Sequence, residues 1–176
     1  MPRTALVTGG SGYIASHLLP VLVADGWEVR TCGRRDRPAG IPAEAEYQRV
    51  DLAERPGLDG LLDGITHVFH LAGASSSRSS EEEMWRSNVV ATERLVGAAA
   101  AAGVERFVHM SSTSVYGEDE QLPLPVREDI QPRPSRAYGK AKWGAEEAVW
   151  RAAEKVPAVV LRPVSVFGPG NEKLLA

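Results

Sequence analysis

A short apolar run at residues 5–7 leads directly into a glycine-rich turn, and this junction constrains the fold more than any other stretch of the chain. The turn has the spacing Gly-x-x-Gly-x-x-Ala, with Gly9, Gly12 and Ala15 at the marked positions. Gly9 permits a tight turn, Gly12 lets a phosphate approach the backbone, and Ala15 lets a helix pack closely on the strand. A helix that begins there directs free N–H groups and its dipole at that phosphate. The pattern is a variant of the dinucleotide-binding fingerprint, although such glycines also occur in ordinary tight turns.

Short β-branched runs alternate with longer helical patterns along the chain, which indicates a parallel sheet with crossover helices. Strands are predicted at Thr4–Thr8, 28–32, 47–50, 66–71, Arg106–Met110 and Ala158–Leu161. Helices are predicted at Tyr13–Ala24, 84–102 and 135–154, with a weak helical turn near 57–62 and polar loops at 75–83 and 118–134. We therefore predict an α/β fold with a Rossmann-type doubly wound sheet in the strand order 3-2-1-4-5-6. Its ligand crevice should lie at the carboxyl ends of the strands.

Composition limits the classes of function. The chain has 176 residues, of which 43% are apolar and 24% charged, as in a soluble globular domain. Its net charge of −3 gives no reason to expect nucleic acid or an anionic membrane as a partner. Cys32 is the only cysteine and the histidines show no metal-ligand spacing, so neither a disulfide nor a metal site is predicted. The chain shows neither a signal peptide nor a membrane-spanning apolar run, so we expect a cytoplasmic protein.

The end of the second predicted strand bears on the choice of cofactor. In dinucleotide-binding folds, an acidic residue about twenty positions after the glycines binds the adenosine ribose of NAD. Here the corresponding residue is Gly33, and it is followed by Arg34 and Arg35, whose guanidinium groups suit a 2′-phosphate. These residues favour NADP, while the nearby Asp36 leaves NAD open. The arginines are also compatible with a solvated loop.

Tyr138 and Lys142 are four residues apart in a predicted helix and therefore share one face. A phenol with a pKa of about 10 is a poor proton shuttle at neutral pH, and a nearby ammonium group favours the phenolate. A serine cluster at residues 111–114 follows the fifth predicted strand. A Tyr-x-x-x-Lys pair alone occurs often by chance, but the glycine turn and the serines place these groups at one edge of the sheet. The combination predicts a catalytic site.

Together these segments resemble the extended short-chain dehydrogenase/reductases, in particular the NAD(P)-dependent epimerase/dehydratase group that acts on nucleotide sugars. The resemblance runs from Thr4 to about Gly170, and each segment is only modestly specific alone. The matching segments are residues 7–14 (VTGGSGYI), 50–52 (VDL), 70–73 (HLAG), 88–92 (NVVAT), 110–117 (MSSTSVYG), 138–142 (YGKAK), 161–163 (LRP) and 167–170 (FGPG).

The resemblance implies a role for each residue at a matching position. Ser112 matches the hydroxyl that hydrogen-bonds the reacting oxygen, Tyr138 matches the general acid/base, and Lys142 matches the lysine that holds the nicotinamide ribose. Asn88 matches a helix asparagine with a structural role. With the residues already named, the predicted cofactor-binding set is Gly9, Ser11, Gly12, Tyr13, Ile14, Arg34, Arg35, Asp51, Leu52, Leu71, Ala72, Gly73, Asn88, Ser111, Tyr138, Lys142 and Pro163.

The implied chemistry is hydride transfer between the nicotinamide and a nucleotide-linked sugar or a similar carbonyl or hydroxyl substrate. Dehydratases of the family carry Asp-Glu directly after the catalytic hydroxyl, where this chain has Thr113 and Ser114, which argues against sugar 4,6-dehydration. Ser165 stands where family epimerases often carry asparagine, so epimerisation and ketone reduction both stay open. The resemblance also implies a homodimer that pairs through the helices at 84–102 and 135–154.

The family's smaller C-terminal domain supplies most of the substrate pocket, and this chain ends shortly after residue 170. We interpret residues 1–170 as an NAD(P)-binding Rossmann domain and 171–176 as the start of a substrate domain that is largely absent. The chain is then a piece of a longer enzyme, a shortened cofactor-binding or redox-sensing module without turnover, or one half of a pocket that a partner chain completes. The strand at Ala158–Leu161 is expected to be an exposed edge.

Overall fold

Six parallel strands pair in the order β3-β2-β1-β4-β5-β6, which confirms the predicted topology and the reversal of strand order between β1 and β4. The computed structural model describes residues 3–54, 58, 60–74, 79–117 and 123–171. The strands are β1 (Thr4–Thr8), β2 (Glu28–Gly33), β3 (Glu46–Arg49), β4 (His67–His70), β5 (Arg106–Met110) and β6 (Ala158–Leu161). The strand β1 pairs with both β2 and β4, so Thr8 lies beside Cys32 on one side and His70 on the other.

The helices are α1 (Tyr13–Ala24), α2 (Glu81–Trp85), α3 (Ala91–Ala101) and α4 (Ala137–Ala152). A π-helical stretch, Arg86–Val90, joins α2 to α3, and Thr113–Tyr116 forms a 3₁₀ turn. The helix predicted at 84–102 begins three residues earlier than expected. The reason is that the Ser80 side chain accepts the Glu83 N–H at 3.1 Å, and the three glutamates of the first turn suit the helix dipole.

The remaining differences from the predicted bounds are small. The strand β2 continues to Gly33, β3 begins and ends one residue earlier than predicted, β4 is shorter by one residue at each end, and α4 is shorter by two residues at each end. The predicted turn near 57–62, the loops at 75–83 and 118–134 and the segment 171–176 lie partly outside the described residues. The division into domains at residue 170 stays a prediction.

A large apolar cluster covers each face of the sheet, and a smaller third cluster includes Met84 and Val89. Because successive strand residues point to opposite faces, Leu6 belongs to the cluster under α3 and α4, while Ala5 and Val7 belong to the cluster under α1. All three side chains are fully buried. Central strands that are covered on both faces in this way read as unbroken apolar runs. This explains why residues 5–7 are all apolar instead of alternating with polar residues.

The alanine-rich end of α3 is buried in part, and the outer strand β6 is partly exposed. Ala99 is fully buried in the cluster under α3 and α4, so at least part of the alanine run serves core packing. The strand β6 is an edge of the sheet within the described part of the chain, as expected, and Val159 and Leu161 stay 39% and 44% exposed on it. Dimerisation through the helices stays a prediction.

A continuous chain of hydrogen bonds runs through the buried His70. The Thr92 hydroxyl donates to the Asn88 carbonyl, so its oxygen accepts from His70 Nε2–H at 2.8 Å. His70 Nδ1 then accepts the Thr8 hydroxyl at 2.7 Å, and the Thr8 oxygen accepts the Ala72 N–H at 3.1 Å. Every polar atom in this series of hydrogen bonds therefore has a partner, and the pattern implies the neutral Nε2–H tautomer of His70.

Burial lowers the pKa of His70 to about 3, with the charge of Lys142 as a further cause. Burial also lowers the pKa of His109 well below its usual value, and electrostatic interactions with His70 and Lys142 lower it further. The two rings lie 5.3 Å apart, and neither ring nitrogen of His109 has a partner among the described residues. Both histidines are therefore neutral in the folded protein at neutral pH.

We predict that the free energy of unfolding falls as the pH decreases below about 6.5, the ordinary pKa of histidine. The unfolded chain then binds protons that the buried histidines do not take up, so acid favours unfolding until the low folded pKa is reached. Replacing His109→Phe should reduce this slope by about 1 kcal/mol per pH unit between pH 6 and 5. Urea unfolding at pH 7.5, 6 and 5 measures the slope, and an unchanged slope in the variant would contradict the prediction.

Candidate cofactor and active site

The glycine turn between β1 and α1 is fixed to the neighbouring strand ends. The N–H groups of Gly9 and Gly10 both donate to the Cys32 carbonyl, at 3.0 and 3.1 Å. Gly9 has a φ of +75°, and a Cβ there would lie 2.9 Å from the backbone of Ala72. A Cβ on Gly10 would overlap the hydroxyl of Thr31, so this third glycine is also required for space, which the motif spacing did not indicate. The turn therefore sits directly on the ends of β2 and β4.

A first cavity of about 150 Å³ opens beside this turn. The predicted cofactor residues that line it are Gly9, Ser11, Arg34, Asp51, Leu52, Ala72 and Gly73. Its other lining residues, which lie outside the predicted cofactor-binding set, are Cys32, Gly33, Val50, Ser87 and Ala91. Ser87 and Ala91 lie one helical turn apart where the π-helical stretch meets α3, so their shared face was the available signal.

Asp51 is held rigidly in the first cavity by two donors. Its Oδ2 accepts from Arg86 Nη1 at 2.9 Å, and its Oδ1 accepts the Ala53 N–H at 2.9 Å. Burial raises the pKa of the Asp51 carboxyl, but these hydrogen bonds and the charges of Arg86 and Arg34 outweigh it, so the net pKa lies below the usual value. Asp51 is therefore an ionised acceptor at neutral pH. Arg86 was not predicted, because a lone arginine in a polar helix resembles a solvated residue.

The two arginines after β2 have different surroundings. Arg34 lines the first cavity, and its Nη1 lies 3.6 Å from Glu83 Oε1 in an ion pair with both side chains about half exposed. Arg35 is not among the residues that line the described cavities, although its carbonyl accepts the Tyr47 hydroxyl at 2.6 Å. Asp36 forms an ion pair with Arg49 at 3.1 Å. Of the predicted pair, only Arg34 is placed to meet a ligand in this cavity.

A second cavity of about 190 Å³ adjoins the first, and Gly73 lines both. Its predicted lining residues come from separate segments of the chain and are Ile14, Leu71, Gly73, Asn88, Ser111, Ser112, Tyr138, Lys142 and Pro163. Its lining residues outside the predicted cofactor-binding and catalytic set are Ala74, Met110, Val164 and Val166. Gly12 is instead the N-cap of α1, and Tyr13 lines a separate shallow cavity with His17 and Phe167.

The Tyr138 and Lys142 side chains share the second cavity, as the spacing predicted. Lys142 is 5% exposed, and its Nζ donates to the Met110 carbonyl at 2.7 Å. Burial lowers the pKa of Lys142 to about 8, and the charge of Glu146 opposes this. Burial raises the pKa of Tyr138, and hydrogen bonding with Ser112 lowers it. The expectation that Lys142 leaves Tyr138 with a lowered pKa is wrong for this arrangement, because the desolvation of the phenol outweighs the favourable contacts.

The catalytic serine predicted from the motif is fixed by its own loop. Ser112 is the N-cap of the 3₁₀ turn Thr113–Tyr116, and its Oγ accepts the Ser114 N–H at 3.2 Å. The same hydroxyl donates to Ser114 Oγ at 3.1 Å. Its side chain is thus held at the cavity by local bonds, which limits its freedom before any substrate binds.

Asn88 and Gly73 give an internal test of whether a dinucleotide fits here. Asn88 Nδ2 donates to the carbonyls of Ala74 and Met84 at 3.0 and 2.9 Å, while Oδ1 is buried and has no partner among the described residues. A Cβ on Gly73 would overlap this oxygen and lie 3.5 Å from Lys142 Nζ. The cavity floor therefore combines an unused acceptor with space for close approach, which suits a ribose hydroxyl of a ligand that spans both cavities.

Comparison with known proteins bears on this arrangement. The model of the NAD dependent epimerase/dehydratase family matches residues 5–175. The chain belongs to this family. The dTDP-6-deoxy-L-talose 4-dehydrogenase (NAD(P)(+)) of Kitasatospora kifunensis is 38% identical to this member of the family, over 97% of the chain and 54% of that protein. The UDP-glucose 4-epimerase of Azospirillum brasilense is 33% identical over 95% of the chain and 50% of that protein.

Among solved structures, MoeE5 in complex with UDP-glucose and NAD is similar to this family member with a TM-score of 0.84 and 38% identity. The match covers 96% of this chain and 56% of MoeE5. The WbmG enzyme of Bordetella bronchiseptica in complex with NAD gives a TM-score of 0.86 at 26% identity. The chain thus spans about half the length of the proteins that it matches.

Neither a membrane-spanning helix nor a metal-binding cluster is found in the described part of the chain. No helix there is both long and apolar enough to cross a bilayer. No group of three or more histidine, cysteine, aspartate or glutamate side chains within those residues could hold a metal ion.

We predict that Gly73→Ala weakens dinucleotide binding at least tenfold while the chain stays folded. The added methyl group would meet Asn88 Oδ1, which cannot move away because two hydrogen bonds hold the amide. Gly97→Ala on α3 is the matched control, since a Cβ there meets nothing within 4 Å. Calorimetric titration with NADPH and NADH gives the affinities, and circular dichroism checks the fold. Equal affinities in the two variants would exclude Gly73 from the binding surface.

Proposed function

We propose that this chain is the cofactor-binding half of an NAD(P)-dependent oxidoreductase or epimerase that acts on a nucleotide-linked sugar or a similar carbonyl or hydroxyl substrate. One observation carries the proposal. Ser112, Tyr138 and Lys142 line a single cavity, and this cavity meets the cavity beside the glycine turn at Gly73. A dinucleotide that spans both cavities would bring its nicotinamide to the three catalytic groups.

Each catalytic residue has a definite task in this scheme. A bound nicotinamide supplies the hydride acceptor or donor. Tyr138 gives a proton to the substrate oxygen during reduction and removes it during oxidation, and Ser112 orients that oxygen through its hydroxyl. The raised pKa keeps Tyr138 protonated at neutral pH, which suits proton donation. The reverse direction needs a phenolate, which the positive charge of Lys142 and of an oxidised nicotinamide would favour.

The substrate would occupy the far side of Tyr138. A cavity of about 450 Å³ lies there, with Glu81, Ser114 and Arg136 among its lining residues. Thr113 and Ser114 occupy the positions where family dehydratases carry Asp-Glu, which supports epimerisation or ketone reduction over dehydration. Two of the similar proteins carry the names of a 4-epimerase and a 4-dehydrogenase of nucleotide sugars, in agreement with chemistry at a sugar carbonyl.

A second candidate function is a cofactor-binding or redox-sensing module without turnover. The chain spans about half the length of the relatives that it matches. The two candidates make opposite predictions for tyrosine-dependent turnover.

We expect Tyr138→Phe to reduce turnover of nucleotide-linked 4-ketosugars by about 10²–10⁴-fold, the usual contribution of a positioned general acid. The affinity for NADPH should change by less than about threefold, because the ring that lines the cavity is kept. Absorbance of NADPH followed over a panel of 4-ketosugars measures turnover, and calorimetry measures binding. Tight NADPH binding without tyrosine-dependent turnover would reject the enzyme for this chain and favour the module.

We further propose that the cofactor is NADP rather than NAD. Arg34 supports this because it lines the cavity at the carboxyl end of β2, where Gly33 replaces the acidic residue that would bind the adenosine ribose of NAD. The half-exposed ion pair with Glu83 leaves its guanidinium able to turn to a phosphate.

Removing the Arg34 guanidinium should weaken the binding of NADPH and leave the binding of NADH nearly unchanged. Arg34→Ala is expected to weaken NADPH binding by about 10–100-fold, since a hydrogen bond to a charged group contributes about 1.5–3 kcal/mol, and to change NADH binding by less than about twofold. Arg35→Ala is the control with an adjacent arginine that lines no described cavity. Tighter binding of NADH than of NADPH to the unmodified chain would overturn the preference.

A further inference from the structure

The helix α4 carries a third polar residue on its catalytic face. Glu146 follows Lys142 by one helical turn, as Lys142 follows Tyr138. The Glu146 carboxylate is completely buried, whereas the adjacent Glu147 is exposed. An isolated carboxylate costs several kcal/mol to bury, so its partners must account for its position.

Two side chains from other elements hold the Glu146 carboxylate. Arg162 donates from Nη2 to Oε2 at 2.6 Å and from Nε to Oε1 at 3.0 Å. The Ser111 hydroxyl donates a short hydrogen bond to Oε1. Arg162 also donates from Nη1 to the Tyr116 hydroxyl at 2.7 Å and lies over that ring. One carboxylate thus joins α4 to the ends of β5 and β6 and, through Arg162, to the 3₁₀ turn.

Each element joined by this clamp carries a residue of the second cavity. Ser111 precedes Ser112, Arg162 precedes Pro163, and α4 carries Tyr138 and Lys142. The backbone reinforces the junction, because Ser111 N–H donates to the Leu161 carbonyl at 2.7 Å. A shift of Glu146 would therefore change the separation between the predicted acid/base and the predicted orienting hydroxyl.

The ionisable groups near Lys142 belong to β4, β5, α4 and the segment after β6. His70 on β4 and His109 on β5 are buried and neutral at neutral pH, and Tyr138 on α4 has a raised pKa. The charge of Arg162, which follows β6, is balanced by its own pairing with Glu146. Within the described residues, the Glu146 carboxylate is the charge that opposes the loss of the Lys142 proton through burial.

We propose that Glu146 is a positioning residue for the catalytic pair: its buried carboxylate, clamped by Ser111 and Arg162, keeps Lys142 in the ammonium form and fixes α4 against the strand ends that carry Ser112 and Pro163. The second half of the role rests on the function proposed above, while the charge of Lys142 can be measured without any substrate. A merely structural Glu146 would affect stability alone.

Lysine side-chain NMR directly measures the charge state of Lys142, which is the first part of the proposal. The sequence contains only three other lysines, Lys140, Lys155 and Lys173, so the ¹³Cε signals of the full chain can be titrated individually from pH 6 to 10, with Lys142→Arg for assignment. Glu146→Gln should lower the pKa of Lys142 by about one unit or more, because it removes a negative charge and leaves Arg162 unbalanced. Glu147→Gln, which removes an exposed charge from the neighbouring position, should leave it unchanged. A Lys142 pKa within about 0.3 units of the unmodified chain in Glu146→Gln would overturn the proposal.

A second variant covers the case in which Glu146→Gln does not fold. The double replacement Glu146→Met with Arg162→Met removes the ion pair as a unit, which buried pairs often tolerate when apolar groups of similar size replace them. The pKa of Lys142 should fall in this variant too, but by less than in Glu146→Gln, because the loss of the Arg162 charge offsets part of the effect of losing the carboxylate. An unchanged Lys142 pKa in the folded double variant would equally overturn the proposal.

The pH profile of turnover tests the link to catalysis. With a Lys142 pKa that falls from about 8 to about 7, the charged fraction in Glu146→Gln drops about eightfold at pH 8.5 but less than twofold at pH 6.5. The value of kcat/KM should follow this pattern, and an equal loss at both pH values would assign Glu146 a structural role only. A chain that shows the NMR shift but no turnover would reject the proposed enzyme and keep the charge assignment, so the two failures are distinguishable.

Discussion

The parallel pairing of β1 with both β2 and β4 is the constraint on which the site depends. This register places Thr8 beside Cys32 and His70, so the strands β1, β2 and β4 end at nearly the same height in the sheet. The Cys32 carbonyl then accepts the N–H groups of Gly9 and Gly10, which fixes the turn before α1 begins. Because all strands run the same way, the segments after β1, β2, β4, β5 and β6 meet at one edge. The two adjoining cavities lie between these segments at that edge.

Buried polar groups connect this edge to the core, and most of them are satisfied. His70 links the Thr8 hydroxyl to Thr92, and Thr92 links it to the Asn88 carbonyl. Glu146 is held by Arg162 and a serine in the same way. Among the buried side-chain nitrogen and oxygen atoms of the described residues, the unpartnered ones lie on Asn88, which lines the second cavity, and on His109, beside His70. An unused acceptor at a cavity differs from one in a packed core, because a ligand can reach it.

The sequence predicted what local patterns determine, and it missed what distant partners determine. The bounds of β1, α1, β5 and β6 were predicted correctly because apolar runs and glycines mark them in the chain itself. The helix was predicted from about Met84, although the glutamates at 81–83 indicated a solvated helix start, and the local Ser80 cap sets that start at Glu81. Glu146 could not be identified, since a glutamate in a helix is usually exposed and its guanidinium partner lies sixteen residues away on another element. Lys142 was placed correctly, but its environment required the packed structure.

In the predicted catalytic pair, the pKa of Lys142 lies close to neutral pH, and further burial lowers it. The Lys142 pKa of about 8 is only about one unit above neutral pH, although the cavity beside it is still open. Any group that covers this cavity removes water from Lys142 and Tyr138 and disfavours the charged form of each. An oxidised nicotinamide, if bound there, would add a positive charge that disfavours the ammonium form of Lys142 and favours the phenolate form of Tyr138. The more completely the site is covered, the more the charge of Lys142 depends on the fixed carboxylate one helical turn away.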